Sequence, residues 1–100
     1  MPITQKQKRH LKKLVHHLKP VVMVGQHGLS DNIHNEIDIA LGFHELIKIR
    51  VHAGEKEERQ QLIDEILTRS GAELIHTIGH VVALFRRNPE KPKIELPDEA

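Results

Sequence analysis

Two glycines bracket two hydrogen-bonding side chains in Gly25-Gln26-His27-Gly28, between an apolar run and a helix start signal at Ser30. Unpaired backbone N–H groups and the positive end of a helix dipole make such a place a natural anion site, and phosphate fits it. Glycine at both ends lets the chain turn sharply and lets a nucleic-acid backbone approach without meeting a Cβ, while Gln26 and His27 can add hydrogen bonds. An ordinary turn uses the same residues, so the loop needs a second feature to carry meaning. That feature lies just upstream. Residues 1–28 hold Lys6, Lys8, Arg9, Lys12, Lys13 and Lys19 with no carboxylate, although the whole chain has a net charge of only +1. Segregated cations create a local potential that draws a polyanion; the bland alternative is a solvated lysine face.

Other chemistries find less support. The chain has no cysteine, which removes disulfides, thiolate zinc sites and thiol catalysis and agrees with a reducing compartment. Nine histidines invite a metal, but His10 and His17 sit two helical turns apart and no i, i+4 pair of histidines lies within an expected helix, so no metal or other cofactor is expected. His44 is expected on the apolar side of its helix as a partly buried imidazole, which leaves His27 as the histidine placed for function. Ser30 and Ser70 are the only serines, and both read as helix-end residues. The acidic pairs Glu57-Glu58 and Asp64-Glu65 belong to a solvent-facing helix with no implied pocket. The glycine loop lacks the Lys and Ser/Thr of a P-loop and the longer glycine pattern of a dinucleotide site. An enzyme is therefore not expected. With Phe43 and Phe85 as the only Phe, Tyr or Trp residues, a surface that stacks bases between aromatic rings is not expected.

The elements that must position loop and cations fit one domain, since 100 residues with 38% apolar and 29% charged side chains leave room for a single core. No apolar run approaches the about twenty residues of a membrane helix or the about seven to fifteen of a signal peptide, so a soluble, cytoplasmic protein is expected. Thr4 N-caps a first helix that Pro20 should end near Leu18. Its apolar stripe is Leu11, Leu14, Val15 and Leu18; Lys6, Arg9, Lys13, His16 and His17 project opposite, with Lys8, Lys12 and Lys19 along the flank. Val21 to Val24 reads as a strand buried on both sides. Ser30 caps a second helix to about Phe43, with Leu29, Ile33, Ile37, Ala40 and Leu41 inward. Glu45 to His52 alternates as a strand, Ile47, Ile49 and Val51 on one face and Leu46, Lys48, Arg50 and His52 on the other. Beyond Ala53-Gly54, Glu55, Glu57 and Glu58 open a third helix whose inward stripe is Leu62, Ile63, Ile66 and Leu67 and whose C-cap is Gly71. Residues 72–78 and 81–87 form a hairpin across Gly79-His80. The fold class is α/β, in the order αβαβαββ with a four-stranded mixed sheet. Right-handed crossovers put the second and third helices on one face, giving two layers with the first helix unassigned.

Leu18-Lys19-Pro20-Val21-Val22, Val24-Gly25-Gln26-His27-Gly28-Leu29-Ser30, His44-Glu45-Leu46-Ile47-Lys48, Ile78-Gly79-His80 and Leu84-Phe85-Arg86 together resemble bacterial CRM domain proteins of the YhbY type. The match runs from about residue 3 to 87. The resemblance implies a stand-alone RNA-binding domain, similar in fold to the C-terminal domain of translation initiation factor three, that associates with precursors of the large ribosomal subunit; plant organelle relatives are linked to intron splicing. It places the family's GxxG on Gly25, Gln26, His27 and Gly28 and its basic first helix on Lys6 to Lys19. Phe85 departs from the Tyr of many relatives, so a hydroxyl contact to RNA is lacking there.

The resulting expectation is a monomeric, non-enzymatic RNA-binding domain over residues 1–87 with an extended tail over 88–100. Its partner would be precursor large-subunit ribosomal RNA within a pre-ribosomal particle, gripped as a clamp by the glycine loop and the cations of the first helix. Lys48 and Arg50 would add a secondary phosphate contact from the sheet face away from the crossover helices. The alternative is a protein adaptor that docks an acidic partner through the lysine face and uses the glycines only as a turn.

Overall fold

The computed structural model describes residues 3–25, 28–52 and 54–97. Helix α1 (Gln5–Val15) starts at a reciprocal capping box: the Thr4 hydroxyl accepts the Gln7 N–H at 3.1 Å and the Gln7 side chain accepts the Thr4 N–H at 3.0 Å. It ends three residues before the expected Leu18. Tighter turns, His17 N–H to the Leu14 carbonyl and Leu18 N–H to the Val15 carbonyl, bring the chain down to Pro20. Then follow β1 (Pro20–Val24), α2 (Asp31–His44), β2 (Leu46–Val51), α3 (Lys56–Ser70), β3 (Glu73–Ile78) and β4 (Val81–Phe85), the expected order. Ser30 caps α2 through the Ile33 N–H at 3.2 Å, and Gly71 closes α3 in the left-handed region at φ 70°.

The sheet order is β1-β2-β4-β3, with β1 parallel to β2 and β4 antiparallel to both of its neighbours. Strand alternation divides the apolar side chains between two faces. On one, Val22, Val24, Ile47, Ile49, Val51, Val82 and Leu84 meet Ile37 and Leu41 of α2 and Ile63 and Ile66 of α3. On the other, Leu46, Ile75, Ala83 and Phe85 meet Leu11 and Val15 of α1. The first helix thus adds a partial third layer to the two expected, because the opposite sheet face presents its own apolar set. That layer stops short of β1. Val21 is 51% and Met23 62% exposed, so the expectation of a strand buried on both sides fails: β1 is an edge strand covered on the α2 side alone.

Residues 88–97 carry no helix or strand, yet they are docked: Ile94 and Leu96 pack on the α1 cluster, and the Gln7 side-chain amide donates to the Pro97 carbonyl at 3.0 Å. The anchor is Glu45. Expected as a strand residue, it instead caps α2 at φ 63°, a conformation that L residues seldom adopt, and it is fully buried. Its carboxylate accepts the N–H groups of Asn88 (2.6 Å), Lys93 (2.6 Å) and Ile94 (2.8 Å), while its own carbonyl accepts the Arg86 N–H at 2.9 Å.

Burial by itself raises the pKa of this carboxyl, but the three N–H donors and the Arg87 charge outweigh it and hold the group below its ordinary value. A lowered folded-state pKa contributes stability that is present above the unfolded pKa and lost as pH falls through the folded one. Glu45→Gln keeps one oxygen for the Lys93 and Ile94 N–H groups but sets an amide NH2 against the Asn88 N–H and removes the charge, and should cost about 1.5–3 kcal/mol at pH 7. In urea melts over a pH series, the gap between parent and variant should close as the pH drops below the carboxylate range. A gap that persists at low pH would show that the ionised form is not what holds the tail.

Candidate nucleic-acid interface

The projection of the first helix is reproduced: Lys6, Arg9, Lys13, His16 and His17 are exposed, Lys8 and Lys12 flank them half-buried, and Lys19 is exposed just beyond the helix. Five cations and no carboxylate lie on α1. The opposite side of the molecule is richer in acid than base, since α2 carries Asp31, Glu36 and Asp38 without Lys or Arg, and α3 carries Glu57, Glu58, Asp64 and Glu65 against Lys56, Arg59 and Arg69. Several of the basic groups on that side are tied up. Arg86 bonds the Asp38 carboxylate at 2.6 Å and the Ser70 carbonyl at 2.9 Å, and Arg69 reaches Asp31 at 3.4 Å. His34, rather than His44, is the buried imidazole of α2; its Nε2 lies 3.3 Å from a Glu65 oxygen and links α2 to α3. His44, expected to be partly buried, is exposed.

The glycine loop closes on itself, with the Gly28 N–H donating to the Gly25 carbonyl at 3.0 Å. Gly28 stands at φ 74°, where a side chain would be strained, whereas Gly25 has an ordinary φ. A Cβ built on either glycine meets nothing within 4 Å, so both are open to an approaching backbone. Gln26 and His27 lie outside the described residues.

Loop and helix do not form the compact clamp expected from their closeness in sequence. The Ile3 N–H binds the Glu73 carboxylate at 3.2 and 3.3 Å, at the start of β3, and the connection after α1 ends at Pro20, the start of β1. Helix α1 therefore crosses the sheet at the end where β1, β2 and β3 begin, and the loop follows the opposite end of β1. Four strand steps separate them, about 13 Å. Between the two lie Lys48 and Arg50, both facing away from α2 and α3 as expected. Lys48 is half-buried and donates to the Leu18 carbonyl at 3.0 Å, holding the α1–β1 connection on the sheet. Arg50 is exposed between Met23 and Val81.

A second group at the loop end escaped sequence reasoning. The His52 N–H donates to the Val24 carbonyl at 2.8 Å and the Val51 N–H to the His80 carbonyl at 2.7 Å. The His52 and His80 rings consequently stack, 5.8 Å between centroids and 27° between planes, and an Arg59 nitrogen lies 3.2 Å from His80 Nδ1. Their one sequence signal was position at strand ends, which becomes adjacency only once the strand order is known. No group of His, Cys, Asp and Glu suited to a metal occurs among the described residues, nor does a described helix long and apolar enough to cross a membrane.

Comparison with known proteins agrees with this architecture. The CRS1 / YhbY (CRM) domain family matches residues 3–86. An RNA-binding protein of Haemophilus influenzae is 44% identical over 95 residues, 95% of each chain. A probable RNA-binding protein of Pseudomonas aeruginosa is 39% identical over 93% of this chain and 89% of its own. The solution structure of a hypothetical protein from Staphylococcus aureus, put forward there as an RNA binder, superposes with a TM-score of 0.81 at 32% identity, covering 96% of this chain and all of that one. With an α1 of cations on one sheet face, α2 and α3 on the other and a GxxG turn after β1, the chain belongs to the CRS1/YhbY (CRM) domain family.

Proposed function

We propose that this protein binds structured RNA, and specifically precursor ribosomal RNA of the large subunit within a pre-ribosomal particle, as a cytoplasmic, non-enzymatic monomer. The observation that carries the reading is the charge division between the two sides of the sheet, a carboxylate-free cationic helix on one and an acid-bearing helix pair on the other. Such a molecule presents a single orientation to a polyanion. The names of the relatives support RNA as that polyanion, and the YhbY-type motifs support the ribosomal precursor.

In this reading the RNA lies along a track rather than in a pincer. Lys6, Lys8, Arg9, Lys12, Lys13 and Lys19 neutralise phosphates at one end. Arg50 contacts the backbone midway, and Lys48 acts chiefly by fixing α1 through the Leu18 carbonyl. At the far end Gly25, Gln26, His27 and Gly28 receive a phosphate, the two glycines leaving room for its approach. Binding is to phosphate and shape, so affinity depends steeply on salt.

Two measurements test the reading. Engagement of about four to six cations gives a slope of log affinity against log salt of roughly −3 to −5, and replacing Lys6, Arg9 and Lys13 by Gln should make it shallower. An unaltered slope moves the site off α1, and equal displacement by an acidic polypeptide favours a protein adaptor instead. Gly25→Ala isolates the loop, because the added methyl meets open space at an ordinary φ and leaves the melting temperature unchanged. It should nevertheless weaken RNA binding about fivefold or more, roughly 1 kcal/mol, since the methyl stands where the phosphate backbone approaches. Parental affinity in that variant would reduce the glycine loop to a turn.

A further inference from the structure

The His52–His80 stack lies where the proposed RNA track ends, and nothing in the fold requires it. Both imidazoles are exposed, and each is held by its main chain, His52 through its N–H to the Val24 carbonyl beside Gly25 and His80 through its carbonyl to the Val51 N–H. The rings are stacked at 5.8 Å and 27°, and an Arg59 guanidinium nitrogen reaches His80 Nδ1 from α3 at 3.2 Å. Strand pairing thus brings the two rings together before any ligand arrives, which favours a planar ligand.

The surrounding charge discriminates between two parts of a nucleotide. Glu55, Glu57 and Glu58 open α3 at this same end of the sheet, and a Glu58 carboxylate oxygen lies 3.9 Å from the Cβ position of Gly54. With Lys56 and Arg59 among them, these acids leave only a small negative balance, which gives a phosphate no attraction at this spot and a neutral ring no penalty. Imidazole and guanidinium planes are platforms for unpaired RNA bases, and this stack lies at the end of the sheet from which the glycine loop departs. We infer that His52, His80 and Arg59 form a stacking platform for an unpaired base, adjacent to the phosphate that the Gly25–Gly28 turn receives. The substrate class is then RNA bearing a bulged or looped-out nucleotide rather than uninterrupted duplex. This inference rests on the RNA-binding reading above.

The test uses the full chain and two synthetic hairpins with one stem sequence, one fully paired and one with a single unpaired 2-aminopurine. Anisotropy gives the two affinities, and 2-aminopurine fluorescence reports stacking. The parent should prefer the bulged hairpin by about tenfold or more and change its fluorescence. The double variant His52→Ala with His80→Ala should lose both effects while holding the paired hairpin within about twofold. His52→Phe, which keeps a ring face and removes the imidazole nitrogens, should retain the preference. The inference is overturned by a parent without preference, by a double alanine variant that keeps it, or by its loss in His52→Phe. Failure of the parent to bind either hairpin is a different result: it overturns the RNA reading itself.

Discussion

The buried carboxylate of Glu45 is the constraint on which the arrangement depends. One residue ends α2, receives the Arg86 N–H after β4 and gathers three N–H groups of the segment that follows. Those bonds bring Ile94 and Leu96 over the α1 cluster, and Pro97 takes the Gln7 amide in the first turn of α1. The cationic helix is therefore held by the sheet beneath it and by a tail that Glu45 directs. The left-handed backbone at Glu45 shows how firmly the surroundings determine that position, for a glycine would reach φ 63° more easily yet supply no anion. Charge here outweighs backbone comfort.

From that scaffold follows an electrically divided molecule. The sheet stands as a spacer between helices of different charge, so the two sides project separate fields rather than cancelling at one surface. Ion pairs on the acidic side, Arg86 with Asp38 and Arg69 with Asp31, remove cations from view there. A formal net charge of +1 is thus a poor description of what a polyanion meets.

Much of this was legible in the sequence because it depends on local signals. Thr4, Ser30 and Gly71 mark helix ends by chemistry that acts within a few residues, and the apolar stripes of α2 and α3 follow helical spacing. What was not legible depends on contacts distant along the chain. Glu45 continued an alternating pattern, and its partners lie more than forty residues away. Whether Leu46, Ala83 and Phe85 faced solvent or α1 could not be read from alternation, which says that two faces exist but not what covers each. The loop and the first helix seemed neighbours because few residues separate them, yet a strand carries the chain from one end of the sheet to the other. His52 and His80 illustrate the converse, being far apart in sequence and stacked in space.

The place of β4 in the sheet has a consequence for how the protein comes into being on the ribosome. The strand that appears fourth in the chain lies between the second and third, pairing with both. While synthesis has reached only Ile78, β2 and β3 each present an unsatisfied edge and the centre of the sheet is missing. The bonds to Glu45 wait longer still, until residues 88–94 have emerged. The β1–β2 pair needs no later strand, but β3 can join the sheet only after β4 is made, so the second half of the sheet must assemble in one late step.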